Sequence, residues 1–153
     1  MIRLLKSRDK IRFIDFCKSF SDKYYDVYIT LERERKFLNE PKIATITFNN
    51  IMKRGDKAII YEENETIKGI LIIVGYSDHF PRKYVKCLAN DIYIANKLFR
   101  FLNLNYNGEL FMKLKQNNPL CEIIKIHKFE QCAFRGKELL FIKNGEINDT
   151  NIN

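Results

Sequence analysis

Two short runs, "RKYVKCLA" at 82–89 and "LFMKLKQ" at 110–116, flank a segment in which Ile92, Ala95, Leu98, Phe99 and Leu102 recur every three or four residues. That spacing predicts an α-helix over 91–103 with one buried stripe, and the flanking runs read as strands. A strand, a helix and a strand in this order cannot form a hairpin. A helix between two strands suits a crossover connection, which is right-handed where it joins parallel strands. Asn90 and Asp91 open the helix with side chains suited to its first free N–H groups, and "NYNGE" ends it.

The remaining segments fit around this unit. "IRLLK" at 2–6 reads as a short strand, and Ser7 offers an N-cap for a helix in which Phe13, Phe16, Cys17, Phe20 and Tyr24 share one face. Tyr24, Tyr25 and Tyr28 stand at spacings that suit helix packing better than a pocket lining. Pro41 restarts the chain, and "TFNNIMKRGD" reads as a helix closed by Gly55. "KAIIYEE" and "TIKGILIIVGYS" are two strands joined by a tight polar turn. Past the second strand of the parallel pair, Pro119 opens a helix with Leu120, Ile123, Ile124 and His127 on its inner side, and "FEQCAFRGKELLFIK" folds back as a hairpin about "RGK".

A chain of 153 residues with 46% apolar and 13% aromatic residues has enough material for one buried core. A single domain over 1–145 is expected, with a polar tail at 146–153. The net charge of +8 favours an anionic partner, but the basic residues are scattered, with short clusters at Arg33/Arg35/Lys36, Lys53/Arg54/Lys57 and Arg82/Lys83/Lys86. Nucleic acid is therefore the less favoured partner. Cys17, Cys87, Cys121 and Cys132 form no C-x-x-C pair and read as reduced thiols; no metal site is expected. Charge breaks the N-terminal apolar run too early for a signal peptide, and "GILIIVGY" is too short to span a bilayer, which predicts a cytoplasmic protein without membrane contact.

The order strand, helix, helix, three strands, helix, strand, helix and a closing strand pair resembles the GNAT acyltransferase fold, an α/β (α+β) architecture with a mixed central sheet of about seven strands and about four helices. Three passages carry the likeness: "MKRGDKAIIYEENETIKGILII" at 52–73, "IANKLFRFL" in the crossover helix, and "NNPLCEIIKIHKFEQCAFRGKELLFIK", in which Asn117 precedes a helix and Phe129 leads into the final hairpin. The resemblance implies acyl transfer, usually acetyl, from coenzyme A to an amine. It implies strands that part to admit the pantetheine arm and a helix N-terminus that meets the pyrophosphate. Leu88, Asn90, Ala95 and Asn117 are the cofactor-contacting positions it implies.

Two departures from the family pattern are visible. Its loop reads Q/R-x-x-G-x-G/A, and setting Lys97, Leu98 and Phe99 on the helical stretch puts Asn90 at the Q/R, Tyr93 at the first glycine and Ala95 at the second. A tyrosine adds bulk and narrows the backbone's choices where a glycine would let N–H groups approach phosphate. Arg82, Lys83, Lys86, Lys97 and Arg100 are the cations that would compensate. Second, the tyrosine that protonates the departing thiolate in many members falls here on Ile124, which has no proton to give. A strand N–H near Leu88 is the implied oxyanion donor. Glu62, Glu63, Asp78 and His79 lie near strand ends, none of them assignable as the base. The enzyme reading is an acetyl-coenzyme A-dependent N-acyltransferase with unknown acceptor. The alternative is a catalytically degenerate scaffold of the same fold that binds nucleic acid or an acidic protein; the oligomeric state is not legible.

Overall fold

The computed structural model describes residues 1–19, 24–25, 38–76 and 82–145, with Tyr24 and Tyr25 described by their backbone. In chain order the elements are β1 (Ile2–Leu4), a 3-10 turn (Ser7–Asp9), α1 (Lys10–Ser19), β2 (Tyr24–Tyr25), α2 (Pro41–Arg54), β3 (Lys57–Glu63) and β4 (Thr66–Val74). There follow β5 (Arg82–Ala89), α3 (Ile92–Asn105), β6 (Glu109–Lys115), α4 (Leu120–Ile126), β7 (Glu130–Arg135) and β8 (Glu138–Lys143). One mixed sheet runs β1-β3-β4-β5-β6-β8-β7, with the two-residue β2 paired to β5 off that path. Among the described strands, β5 and β6 are the one parallel pair of neighbours, joined by the α3 crossover. This is the sheet-and-helix architecture expected above.

Strand alternation divides the core into two layers. Ile59, Leu71, Ile73, Val85, Cys87, Ala89 and Met112 face α3 and α4, which bring Ile94, Ala95, Leu98, Phe99, Leu102, Leu120 and Ile124. Ala58, Ile60, Ile70 and Ile72 face Phe13, Phe16 and Cys17 of α1 and Ala44, Phe48 and Ile51 of α2. Period two in the strands and period 3.6 in the helices thus bury both faces of the sheet. Asn64 (φ 51) and Glu65 (φ 64) make the tight β3–β4 turn, and Gly55 (φ 69) closes α2.

Two local expectations change. Ile92 is 52% exposed and Ile94 takes its place in the core, because the buried stripe of α3 runs through positions 94, 95, 98, 99 and 102 and the first turn overhangs the sheet. Ser7 is not the cap of the first helix. A 3-10 turn precedes α1 instead, and the Asp9 carboxylate accepts the Lys6 N–H at 2.8 Å. Phe20 and the Tyr24, Tyr25 and Tyr28 side chains lie outside the described residues.

Asp9 is fully buried, so its charge requires a partner. Arg3 supplies it, donating to both Asp9 oxygens at 2.9 and 2.8 Å and to both Glu62 oxygens at 2.8 and 3.0 Å. This fork ties β1, β3 and the entry to α1 together. Hydrogen bonds from Arg3 are the main cause holding both carboxyls below their ordinary range. A carboxyl with a depressed folded pKa adds stability above its unfolded value of about 4 and loses it as pH falls through the folded value. Urea unfolding should therefore show stability level above about pH 5 and declining below about pH 4. Arg3→Met should lower stability at pH 7 by about 3 kcal/mol and abolish that acid-side decline.

Gly69 sets how closely α3 approaches the sheet. A Cβ there would lie 2.5 Å from Ile94 Cγ2 and 3.1 Å from Leu98 Cδ1. Because Cγ2 of a β-branched residue cannot swing away freely, Gly69→Ala should cost about 1–3 kcal/mol, measurable as a lowered thermal midpoint.

Candidate functional site

β4 pairs with β5 without a register shift, from Val74 opposite Tyr84 to Gly69 opposite Ala89. β6 does not follow along the other edge. Its parallel pairing covers only Arg82 with Glu109, Lys83 with Leu110 and Tyr84 with Phe111. Beyond Tyr84 the ladder stops, and the β5 edge that faces away from β4 is left without β6 beside it.

Tyr84 explains where the ladder stops. Its hydroxyl accepts the Lys113 N–H at 3.1 Å, a donor that a continued ladder would give to a β5 carbonyl. Its ring stands edge-on to Phe111 with centroids 4.5 Å apart, across the two strands. At the closed end, Arg82 Nε donates to Glu109 Oε1 at 2.7 Å and pins the strands together.

The phase of β5 is fixed by the Asn90 N–H, which donates to the Lys68 carbonyl at 3.1 Å. Groups two residues apart point the same way, so the N–H of Leu88 also faces β4, and those of Val85, Cys87 and Ala89 point to the opposite edge, Val85 at the end of the β6 ladder and Ala89 opposite β2. Of the positions implied by resemblance, Leu88 packs its side chain on the α1–α2 layer and Asn90 sits at the β5–α3 junction. Ala95 is wholly buried beneath α3, its N–H donated to the Asp91 carbonyl at 3.1 Å. Asn117 is exposed in the turn after β6, on the opposite arm of the cleft, while Asn118 Oδ1 accepts the Leu120 N–H at 2.9 Å and leads into α4.

At the α3 N-terminus, Asp91 is extended (φ −154, ψ 172) and its Oδ1 accepts the Ile94 N–H at 2.9 Å. One N–H of the helix end that would meet a phosphate is thus already served by a carboxylate of the same chain. Tyr93 does not fill the cleft. Its ring lies edge-on to Tyr61 of β3, 6.4 Å between centroids, on the side of β5 away from β6, and Lys97 Nζ stands 5.2 Å from the Tyr93 centroid.

Other candidates have structural roles. Ile124 is fully buried. Glu62 is held by Arg3, and Glu63 accepts the Tyr61 hydroxyl at 2.7 Å, pushing that phenol up to about 12. Asp78 and His79 lie outside the described residues. His127 Nε2 is 2.9 Å from Asn96 Oδ1, and the ring stacks on Phe99, joining α4 to α3; burial lowers its pKa and favours the neutral ring. Burial pushes the Cys17 thiol up to about 12, so it holds no ready nucleophile. Among the described residues, no group of three or more His, Cys, Asp or Glu is placed to hold a metal ion, and no helix is long and apolar enough to cross a membrane. A cavity of about 890 Å³ at the β1–β3 edge is lined by Arg3, Arg8, Arg12, Glu62 and Glu65 among others. Its inner charges are spent on one another, which makes it a poor match for a single anion.

No protein-family model and no curated protein matches this sequence. Solved structures do match its fold. The GNAT domain of S. lividans PAT superposes with a TM-score of 0.69 at 12% identity, covering 92% of this chain and 88% of that one. The chain has the GNAT fold. An N-acetyltransferase from Staphylococcus aureus Mu50 gives a TM-score of 0.64 at 13% identity over 94% of this chain and 97% of that one. The PaiA N-acetyltransferase from Thermoplasma acidophilum, solved in complex with coenzyme A, gives 0.62 at 10% identity over 94% and 98%. At such identities it is the GNAT architecture that is shared, and the side chains of the cleft belong to this chain alone.

The sequence pointed to Asp91 as the residue that opens α3, and it carried no signal for the Tyr84 bridge or for the pairing of β2 with β5. Removing the Tyr84 hydroxyl should leave the Lys113 N–H without its partner, so Tyr84→Phe should cost about 1–2 kcal/mol in urea unfolding and speed amide exchange at Lys113.

Proposed function

We propose that this chain is an acyl-coenzyme A-dependent N-acyltransferase, acetyl being the simplest acyl group and an amine the acceptor. The observation that carries the reading is the β5–β6 cleft, opened after three residue pairs and held at its apex by Tyr84. A slot lined by main-chain N–H and C=O groups suits the two amides of a pantetheine arm, which can bond a strand edge as a peptide does. Main-chain groups on that edge of β5, Ala89 among them once its pairing with the Tyr24 backbone gives way, would meet the arm or the thioester carbonyl, whose developing negative charge a fixed donor stabilises. Leu88 and Asn90 border the arm on the β5 side, Asn117 on the β6 side, and Ala95 supports the helix end from below. The amine would approach from the α1–α2 side of the sheet, where Tyr84 and Leu88 lie.

The Asp91 carboxylate and the buried Ile124 favour a second reading, a scaffold of this fold without catalysis that uses its +8 charge to bind a polyanion. The carboxylate opposes a pyrophosphate at the helix end, and Ile124 supplies no acid.

Thermal denaturation with acetyl-coenzyme A separates the two. A ligand that binds only the folded chain at about 100 times its Kd adds about 2.7 kcal/mol, which for a domain of this size raises Tm by roughly 5–10 °C. The enzyme reading predicts that rise at millimolar ligand. No shift, together with nucleic acid that co-purifies and is released steeply by salt, would establish the scaffold instead. Asp91→Asn keeps the cap and removes the charge, so it should tighten acetyl-coenzyme A binding roughly fivefold with stability nearly unchanged. Unchanged affinity would mean that the pyrophosphate does not approach α3.

A further inference from the structure

A strand has two edges, and those of β5 can be accounted for residue by residue. β4 holds one edge, with Gly69 opposite Ala89 and Ile70 opposite Leu88. The backbone of β2 pairs antiparallel with the same two residues, Tyr24 opposite Ala89 and Tyr25 opposite Leu88, and so must lie on the cleft side. β6 occupies that side at residues 82–84.

We propose that the Tyr24–Tyr25 backbone is a built-in competitor for the cleft, seated on the stretch of β5 that a pantetheine arm must cross, and that acyl-coenzyme A binds only molecules in which this pairing has opened. The inference rests on the acyl-coenzyme A reading above and adds regulation of that same site. An arm whose phosphate end lies at the α3 N-terminus enters the cleft past Ala89, whose N–H and C=O face the slot and are the groups Tyr24 meets. Peptide and pantetheine amides bond a strand edge in the same way, so the two exclude each other there. The Tyr24–Tyr25 pairing adds to the edge of β5 and lies off the continuous strand order, so its opening leaves the β1-β3-β4-β5-β6-β8-β7 sheet in place. The apparent Kd for the ligand then exceeds the intrinsic one by the inverse of the open fraction.

Tyr24→Pro removes the N–H and the extended pairing at Ala89 without altering β5 or α3, whereas Tyr24→Phe leaves the backbone unchanged. Calorimetric titration of the full chain with acetyl-coenzyme A should give Tyr24→Pro a Kd about fivefold or more below that of the wild type, and Tyr24→Phe a Kd within about twofold of it. Amide hydrogen exchange on the wild type is a second readout that depends on no variant: saturating acetyl-coenzyme A should speed exchange at Tyr24, whose N–H faces Ala89. Equal Kd values for wild type and Tyr24→Pro, or unchanged protection of Tyr24 with ligand bound, would overturn the competitor while leaving acyl-coenzyme A binding in place. No binding by either protein at millimolar ligand would overturn both.

Discussion

Parting two strands in the middle of a sheet leaves main-chain donors and acceptors facing each other across a gap, and buried groups of this kind need partners. That requirement organises the molecule. On the β6 arm the Lys113 N–H goes to the Tyr84 hydroxyl, and on the β5 arm Ala89 pairs with the backbone of Tyr24. Each is a substitute for the ladder bond that parting removes. The rest of the fold holds the two arms at a fixed spread: Arg82 and Glu109 clamp the closed end, and α3 is packed tightly onto β4 over Gly69.

The same logic governs the mouth of the cleft. A helix N-terminus presents free N–H groups and the positive end of a dipole, which Asp91 answers by accepting from Ile94. The chain therefore carries its own stand-ins at both places where coenzyme A would bond, a carboxylate for the phosphates and a peptide for the arm. An enzyme built this way would spend part of its ligand affinity displacing itself.

Much of the architecture was legible because it depends on periodicity and turn chemistry. The α3 stripe, the β3–β4 turn at Asn64 and Glu65, the Gly55 stop and the final hairpin all follow from local residues, and the element order then carried the family resemblance that implied the parallel pair. Errors were local too. Ile92 and Ile94 both suit a buried stripe by spacing, and only the overhang of the first turn decides between them. Ser7 lost its capping role to Asp9, whose burial depends on Arg3 from another strand. The site was less legible for the same reason: Tyr84 meets Lys113, and Tyr24 meets Ala89, across distances in sequence that no periodicity encodes. The absent glycines are legible in the sequence, whereas the direction of the Tyr93 ring, edge-on to Tyr61, depends on a contact with a distant strand.

The central claim is that the β5–β6 cleft receives acyl-coenzyme A. Titrating the uniformly ¹⁵N-labelled chain with acetyl-coenzyme A and following every backbone amide by NMR tests it most directly. The account predicts saturable shifts concentrated at residues 85–91 and at Lys113, on the two arms of the cleft. A spectrum unmoved at millimolar ligand, or shifts gathered instead around Arg3, Arg8 and Arg12 at the far edge of the sheet, would contradict it.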